Sequence, residues 1–378
     1  MSHHYDPEAP YPLPVPASSS SSSRLAAAWV IGLSWLNLAA LGVLCWLIFS
    51  VSESWWVSAV LTYAPRAPLV APTLGLLAAA CFWHRPSLAV NAVSLIVVLG
   101  PLMGLSLPVS RLASSTAVEA DQFELKLVSC NVQAFQPNFA KVLDEIAVIQ
   151  PDVIALQEAF PLSPQLEETY RDRHTISHDR YWVGSRWPLK RLADFEIPIF
   201  ERSAGLVVEI ETPRGPVVLA DIHQMTARRG LMELTKRSFF DGDGTERLEE
   251  SISQREEESI QIREQVETVR GDKPLLLCGD FNTPVSSQVF QRHWGDLQSA
   301  FDLAGVGYGY TSPCKANRFW PENLPWARID HILCSPEWGV ASCQIGQSAG
   351  SDHRLITATL RLSLPSALSD DETRTGLR

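Results

Sequence analysis

Charge is nearly missing from the first third of this chain. Before residue 121 the only charged side chains are Asp6, Glu8, Arg24, Glu53, Arg66, Arg85, Arg111 and Glu119, four of each sign. The whole net charge of −11 therefore belongs to residues 121–378. A basic excess is also missing, with 31 Lys and Arg against 42 Asp and Glu over the 378 residues. An acidic domain repels polyanions at long range, which argues against long nucleic acid as a partner. A small phosphorylated substrate held by a local cation stays compatible with that balance. Cysteine is scarce and odd in number, at seven. No CxxC or Cys/His spacing suggests zinc, so buried reduced thiols are the expectation, with a bridge between Cys314 and Cys343 left open. No internal repeat is present.

What the first third does contain is apolar length. Residues 1–24 are rich in Pro, His and Ser, with a Ser18–Ser23 tract, and such a composition cannot bury a core. Residues 25–51 then run without one charged side chain, against the about 20 apolar residues a span needs. Residues 67–83 are shorter and carry Pro68 and Pro72, and 87–109 are again uncharged. Trp55, Trp56 and Trp83 lie near the ends of these runs, where amphipathic rings favour a bilayer interface. The expected membrane region is thus 25–110, with helices at about 25–51, 67–83 and 87–109, followed by a linker at 111–121. Three spans put the amino terminus and the rest of the chain on opposite sides. Arg24 and Arg85 against Arg66 and Arg111 leave the orientation tied.

From Phe123 the texture changes to short strands alternating with polar helices, over a domain set at 122–363 with a polar tail at 364–378. "FELKLVSC" reads as a strand entering a core, 139–149 as a helix and "DVIALQ" as the next strand. "GLVVEIE" and "PVVLADIH" form an expected pair joined through Pro213, Arg214 and Gly215. Residues 247–270 are highly charged, but Ile262, Val266 and Val269 recur at helical spacing. "KPLLLCGD", "ARIDHILC" and "RLITATLRL" are the last clear strands.

Polar residues recur just beyond these apolar runs. Asn131 follows "LVSC", Glu158 follows "VIALQ", His223 ends "VVLADIH", and Asp280 and Asn282 follow "LLLCG". Asp330 lies inside "ARIDHIL", and Asp352 and His353 precede the closing strand. Taken singly, Asn131 could cap a turn, Glu158 could open a helix and Asp280–Asn282 could be an Asx turn. Asp330 is harder to set aside, because a half-buried carboxylate needs a partner and Arg328 is poorly placed to be one. Together they suit metal-assisted phosphoester cleavage: oxygen ligands for a hard cation, a carboxylate to take a proton from water, and imidazoles to donate as charge develops. In an extended segment Asp280 and Asn282, at i and i+2, would face one phosphate together.

The pieces "SCNVQ", "ALQE", "GSRWP", "DIHQ", "GDFNTP", "RIDHIL" and "GSDHRLI", in this order over about 122–362, resemble the endonuclease/exonuclease/phosphatase superfamily with its deoxyribonuclease-I-like fold. The resemblance implies an α/β (α+β) four-layer α/β/β/α sandwich and Mg²⁺- or Mn²⁺-dependent hydrolysis of a phosphoester. It implies Glu158 as principal metal ligand, with Asn131 and Asp352 near the metal. Asp280 would orient or activate water, Asn282 would neighbour it on the phosphate, His353 would polarise the phosphate, and Asp330 would orient a site histidine. His223 matches the branches that carry a second histidine.

Two features depart from the compact pattern. The stretch after His223 mixes Arg228, Arg229, Lys236 and Arg237 with Phe239 and Phe240. It reads as a solvated loop or as a flap whose Arg228, Arg229, Phe239 and Phe240 contact substrate or membrane. Second, apolar spans precede the domain, which is similar to membrane-tethered bacterial members, including a group linked to glycopeptide resistance. That similarity implies an integral protein of the inner or plasma membrane, its partners the lipid bilayer and a phosphorylated, lipid-linked substrate, with the catalytic domain extracytoplasmic. No protein partner is expected. The alternatives are a membrane-tethered nuclease and an inactive module that binds a phospho-ligand.

Overall fold

The computed structural model describes residues 21–108, 123–133, 139–161, 163–197, 202–234, 243–315, 320–347 and 350–362. Phe239, Phe240, most of the amino-terminal tail, the 111–121 linker and the polar tail at 364–378 lie outside the described residues. The chain divides into two compact units, one of Met1–Val43 with Pro68–Val98, the other of Leu44–Ala67 with Leu99–Arg378.

The apolar helices are α1 (Ser21–Trp46), α2 (Trp56–Tyr63), α3 (Val70–Trp83) and α4 (Ser87–Val97). In the first unit, sparse polar side chains bond one another. Asn91 Nδ2 donates to Ser34 Oγ at 2.9 Å and Asn37 Nδ2 to Thr73 Oγ1 at 3.2 Å, the kind of pairing apolar helices use when no water is near. With its wider last turns α1 runs on to Ser54, 34 residues in all, and among the described residues it alone is long and apolar enough by itself to cross a membrane. Trp56–Tyr63 and Ala67–Trp83 pass that test only as a pair bent by 89°. The helix expected over 87–109 ends earlier, at Leu102, where Pro101 supplies no N–H to the ladder.

The second unit holds two six-stranded sheets. One has the order β11-β12-β1-β2-β4-β3, the other β5-β6-β7-β8-β10-β9. Their strands are β1 (Phe123–Asn131), β2 (Val153–Gln157), β3 (His174–His178), β4 (Tyr181–Ser185), β5 (Leu189–Ile197), β6 (Arg202–Thr212), β7 (Gly215–His223), β8 (Leu275–Asp280), β9 (Gln298–Ser299), β10 (Asp330–Cys334), β11 (Trp338–Ile345) and β12 (Ile356–Leu362). The helices are α5 (Phe139–Ile149), α6 (Ser163–Thr169), α7 (Arg228–Met232), α8 (Asp243–Arg270), α9 (Gln288–Trp294) and α10 (Ala300–Ala304).

Alternation along the strands builds three apolar layers, because successive side chains face opposite sides of a sheet. Leu125, Leu127, Ala155, Leu206, Val208, Leu219, Leu276 and Cys278 fill the space between the sheets. Val128, Ile154 and Leu156 face outward onto Val142 and Ile146 of α5. Val207, Val218, Leu275 and Leu277 face the other way onto Ile262 and Val266 of α8. The result is the expected four-layer α/β/β/α sandwich. No disulfide is formed. Cys314 and Cys343 are both buried and no bridge joins them.

Composition alone would begin the catalytic unit at about residue 122. In the structure residues 44–67 and 99–108 fold with it.

Candidate active site

Register assembles the site. β7, β8 and β10 are neighbours, and His223 pairs with Asp280, which pairs with Asp330. One row across three strand ends thus carries an imidazole and two carboxylates. In the other sheet Asn131 ends β1 opposite Gln157, the last residue of β2, and Glu158 follows with a φ of 53°. Glu158 is not the start of a helix, since α6 begins only at Ser163. Glycine before Asp280 has a steric cause. Gly279 has a φ of 132°, and a Cβ there would meet the Ile222 carbonyl oxygen at 1.9 Å. Any side chain would wedge β7 from β8 and break the row.

Asp280 is the hub. Its Oδ2 accepts from Asn131 Nδ2 at 3.1 Å and lies 3.6 Å from His223 Nε2 and 3.7 Å from His353 Nε2. Its Oδ1 accepts from the Asn282 N–H at 2.8 Å. That bond is an Asx turn, and it corrects the reading of Asp280 and Asn282 as a same-face extended pair. The strand ends at Asp280, Asn282 has a φ of 50°, and its Nδ2 donates to the Gln224 carbonyl at 2.9 Å. Asn282 is thereby tied both to Asp280 and to the residue after His223, bracing the loop between them. Asp330 is matched with His353, whose Nδ1 lies 2.8 Å from Asp330 Oδ2, while Arg328 pairs with Asp302 instead.

Two of the carboxylates are sealed and two are open. The Asp280 and Asp330 side chains are 2 % and 1 % exposed, Glu158 and Asp352 20 % and 22 %. Burial, with the Asp330 charge beside it, pushes the Asp280 carboxyl up to about 7, although His353 pulls the other way. Burial by itself would lower His353, but the carboxylates of Asp330, Asp280 and Asp352 hold it well above its ordinary value, as an imidazolium.

Asn131 donates to Glu158 Oε1 at 3.2 Å as well as to Asp280, while its Oδ1 faces the Gln133 N–H at 3.3 Å. It bridges the two carboxylates. Residues the sequence reading did not single out complete the rim. Gln133 Nε2 donates to Asp352 Oδ2 at 2.7 Å, and Lys315 donates to Gln133 Oε1. Ser351 Oγ donates to the Asn131 carbonyl at 2.6 Å, and Thr311 Oγ1 accepts from the Asp330 N–H at 3.2 Å. Gln133 lies in "SCNVQ", two residues past Asn131, which is the signal that could have found it. Ser351 lies in "GSDHRLI", just before Asp352, while Lys315 and Thr311 carry no such signal. Arg228 and Arg229 are exposed on the short α7, and no described contact brings either to Asp280.

Whether this set suits a divalent cation is decided by its donors. The acidic oxygens of Glu158, Asp280 and Asp352 are hard ligands. Asp352 Oδ1 is buried and makes no hydrogen bond among the described residues, with His353 Nε2 only as near as 3.9 Å. The atoms of Asp280, Asp330 and His353 also lie within 4.8 Å of one another. Asp330 and His353, however, already satisfy each other. Glu158 and Asp352 are the more exposed of these carboxylates.

Two packed sheets thus gather carboxylates and two imidazoles at their strand ends, in an α/β sandwich. The chain belongs to the endonuclease/exonuclease/phosphatase family, whose model matches residues 128–353, more than half of its length. Members of that family hydrolyse phosphoester bonds. Among solved structures, a family protein from Bacteroides thetaiotaomicron is 14 % identical, with a TM-score of 0.45 over 64 % of this chain and 99 % of that one. Truncated TDP2 from Caenorhabditis elegans is 15 % identical, with a TM-score of 0.47 over 64 % and 98 %. The 3′ phosphatase NExo from Neisseria, bound to a product DNA hairpin, is 18 % identical, with a TM-score of 0.45 over 62 % and 98 %. The assignment rests on the family model; these likenesses add nothing to it.

Proposed function

We propose that the chain is a membrane-anchored, divalent-metal-dependent phosphoesterase that hydrolyses a phosphodiester or phosphomonoester, with a lipid-linked phosphate as the favoured substrate. The observation that carries the hydrolytic part is Asp280 held between His223 and His353 behind the open carboxylates Glu158 and Asp352.

Glu158 and Asp352, with Asn131 beside them, would hold Mg²⁺ or Mn²⁺. The bound ion supplies Lewis-acid polarisation of the phosphoryl group. The remaining work falls to the chain. Asp280, fixed by the Asn282 N–H and by Asn131, takes the proton of the attacking water. His353, kept charged by Asp330, donates from Nε2 to a nonbridging oxygen as negative charge builds. His223 stands on the other side of Asp280 and donates to a second oxygen or to the leaving group. The sheets fix these groups before substrate arrives, so little reorganisation is needed during the reaction.

The anchoring part is supported by the 34-residue apolar helix Ser21–Ser54 and by the scarcity of charge around it. The extracytoplasmic placement of the domain requires Arg24 on the inner side. The lipid-linked substrate follows from that placement and from the acidic balance, which disfavours long polyanions.

Full-length protein in detergent, offered a lipid phosphate, a soluble nitrophenyl ester and single-stranded DNA, tests the proposal. Turnover of lipid phosphate with Mg²⁺ or Mn²⁺, abolished by EDTA, is expected. Preference for DNA would replace this reading with a tethered nuclease. Inertness on all three with either metal would favour an inactive phospho-ligand module.

A further inference from the structure

Two of the few charges in the amino-terminal part, Glu53 and Arg66, turn toward the rest of the chain. Glu53 is buried, and both it and Arg66 reach the segment that follows Asn282. Glu53 accepts from the Ser287 hydroxyl, and its Oε2 accepts from the Gln288 N–H at 3.0 Å. Arg66 Nη2 donates to Ser286 Oγ at 2.8 Å, while Nη1 holds the Leu102 carbonyl at 2.7 Å. Tyr63 joins the two sides. Its hydroxyl donates to Glu53 Oε1 at 3.1 Å and accepts from Arg255, whose guanidinium lies 5.2 Å from the Tyr63 ring centre. The same Arg255 Nη2 donates to Thr283 Oγ1 at 2.8 Å. Thr283, Ser286, Ser287 and Gln288 are thus gripped one after another, each in a stretch beginning one residue past Asn282.

The same region reaches other loops behind the site. Tyr310 Oη donates to the Met103 carbonyl at 2.6 Å, Ser106 and Gly307 pair as an isolated bridge, and Trp326 Nε1 donates to the Tyr63 carbonyl at 3.2 Å. Tyr310 precedes Thr311, which accepts from the Asp330 N–H, and Ser312, whose Oγ is 3.4 Å from His353 Nε2. Asn282 and Glu158 are both held at positive φ, a conformation that persists only where surrounding contacts enforce it. A loose tether would need no buried carboxylate, nor a half-buried guanidinium and phenol, bonded to this loop and to its neighbours.

We propose that Glu53, Tyr63 and Arg66 are positioning residues of the hydrolytic site: the amino-terminal segment is a working part of the enzyme that sets the 283–288 loop, and through it Asn282 and Asp280. The inference rests on the hydrolase reading above, and it concerns how the site is held rather than what it cleaves.

The test uses the full chain in detergent, with Tyr63→Phe, Glu53→Ala, Glu53→Gln and Arg66→Lys compared with wild type. Tyr63→Phe removes one hydroxyl and keeps the ring over Arg255, so its fold is retained. On a soluble nitrophenyl phosphodiester, Tyr63→Phe and Glu53→Ala should lower kcat on the order of tenfold to a hundredfold with KM little changed, as small displacements of reacting groups do. Glu53→Gln and Arg66→Lys, which keep part of the hydrogen bonding, should lose less. Amide exchange over 281–288, Gln288 above all, should quicken in the same order. An unchanged kcat in variants with wild-type melting temperatures overturns the proposal. If the wild type proves inert, the hydrolase reading falls by itself, and exchange then decides: quickening at 281–288 supports the coupling and unchanged exchange overturns it.

Discussion

The two sheets contribute to the site in different ways. The sheet of β7, β8 and β10 delivers His223, Asp280 and Asp330 in one hydrogen-bonded row, with the carboxylates sealed from solvent. The sheet of β1 and β2 delivers Asn131 and Glu158 at a more open edge, where Asp352 and Gln133 join them. The groups fixed by backbone register are the sealed ones, and the carboxylates at the other edge reach water. Behind both, Gln157 of β2 donates across the interface to Asp221 of β7, two fully buried polar groups in an apolar layer. Each leaves one oxygen, Gln157 Oε1 and Asp221 Oδ2, without a partner among the described residues. Burial pushes the Asp221 carboxyl well above its ordinary value, despite the Gln157 hydrogen bond. A carboxyl buried to that degree favours its neutral form.

Breaking the sealed row should have the largest effect. Asp280→Asn removes the proton acceptor while keeping shape, and kcat should fall on the order of 10³-fold, the range for a lost general base. Steady-state assay of folded protein checks this; a loss under tenfold would deny Asp280 that role.

Glu158→Gln tests the open edge. Its first effect should be on metal, with the half-saturating Mg²⁺ or Mn²⁺ concentration rising about tenfold or more. Titration of activity against metal, alongside Mn²⁺ binding followed by paramagnetic relaxation, separates this from Asp280→Asn. An unchanged metal requirement would move the cradle away from Glu158.

Asp221→Asn sharpens the comparison at its smallest scale, in stability alone. A carboxyl whose pKa is raised on folding binds more protons folded than unfolded, so stability falls as pH rises through the unfolded value of about 4. The asparagine variant lacks that loss and can still pair with Gln157. Its melting temperature should therefore exceed that of wild type at pH 8, by more than at pH 4. The same difference at both pH values would mean that Asp221 is not neutral in the fold.

Much of the site was legible because its residues sit where apolar runs stop. Asn131, Glu158, His223, Asp280 and Asp330 all stand at strand ends, and the helix at 139–149 and the apolar stripe of Ile262 and Val266 were readable from period alone. Asn282 was misjudged in orientation, because an Asx turn and an extended pair share the same spacing. Lys315 gave no sign, and Ser351, Gln157 and Asp221 stood inside the quoted pieces without showing what they bond. Their partners are distant in sequence, 182, 220 and 64 positions away. Glu53 and Arg66 were visible only as rare charges in an apolar region.

By itself the sequence determined the alternation that makes two sheets, the family, and the residue types offered to a phosphate. Those are local properties, set by period and by chemistry within a few positions. Tertiary structure decided which carboxylates are sealed and which are open. It turned Asn282 into a brace and Asp330 into the partner of His353, and it brought Glu53, Tyr63 and Arg66 against the 283–288 loop. The physical reason is that desolvation and hydrogen-bond partnership depend on what the fold packs around a group, which a linear pattern does not contain.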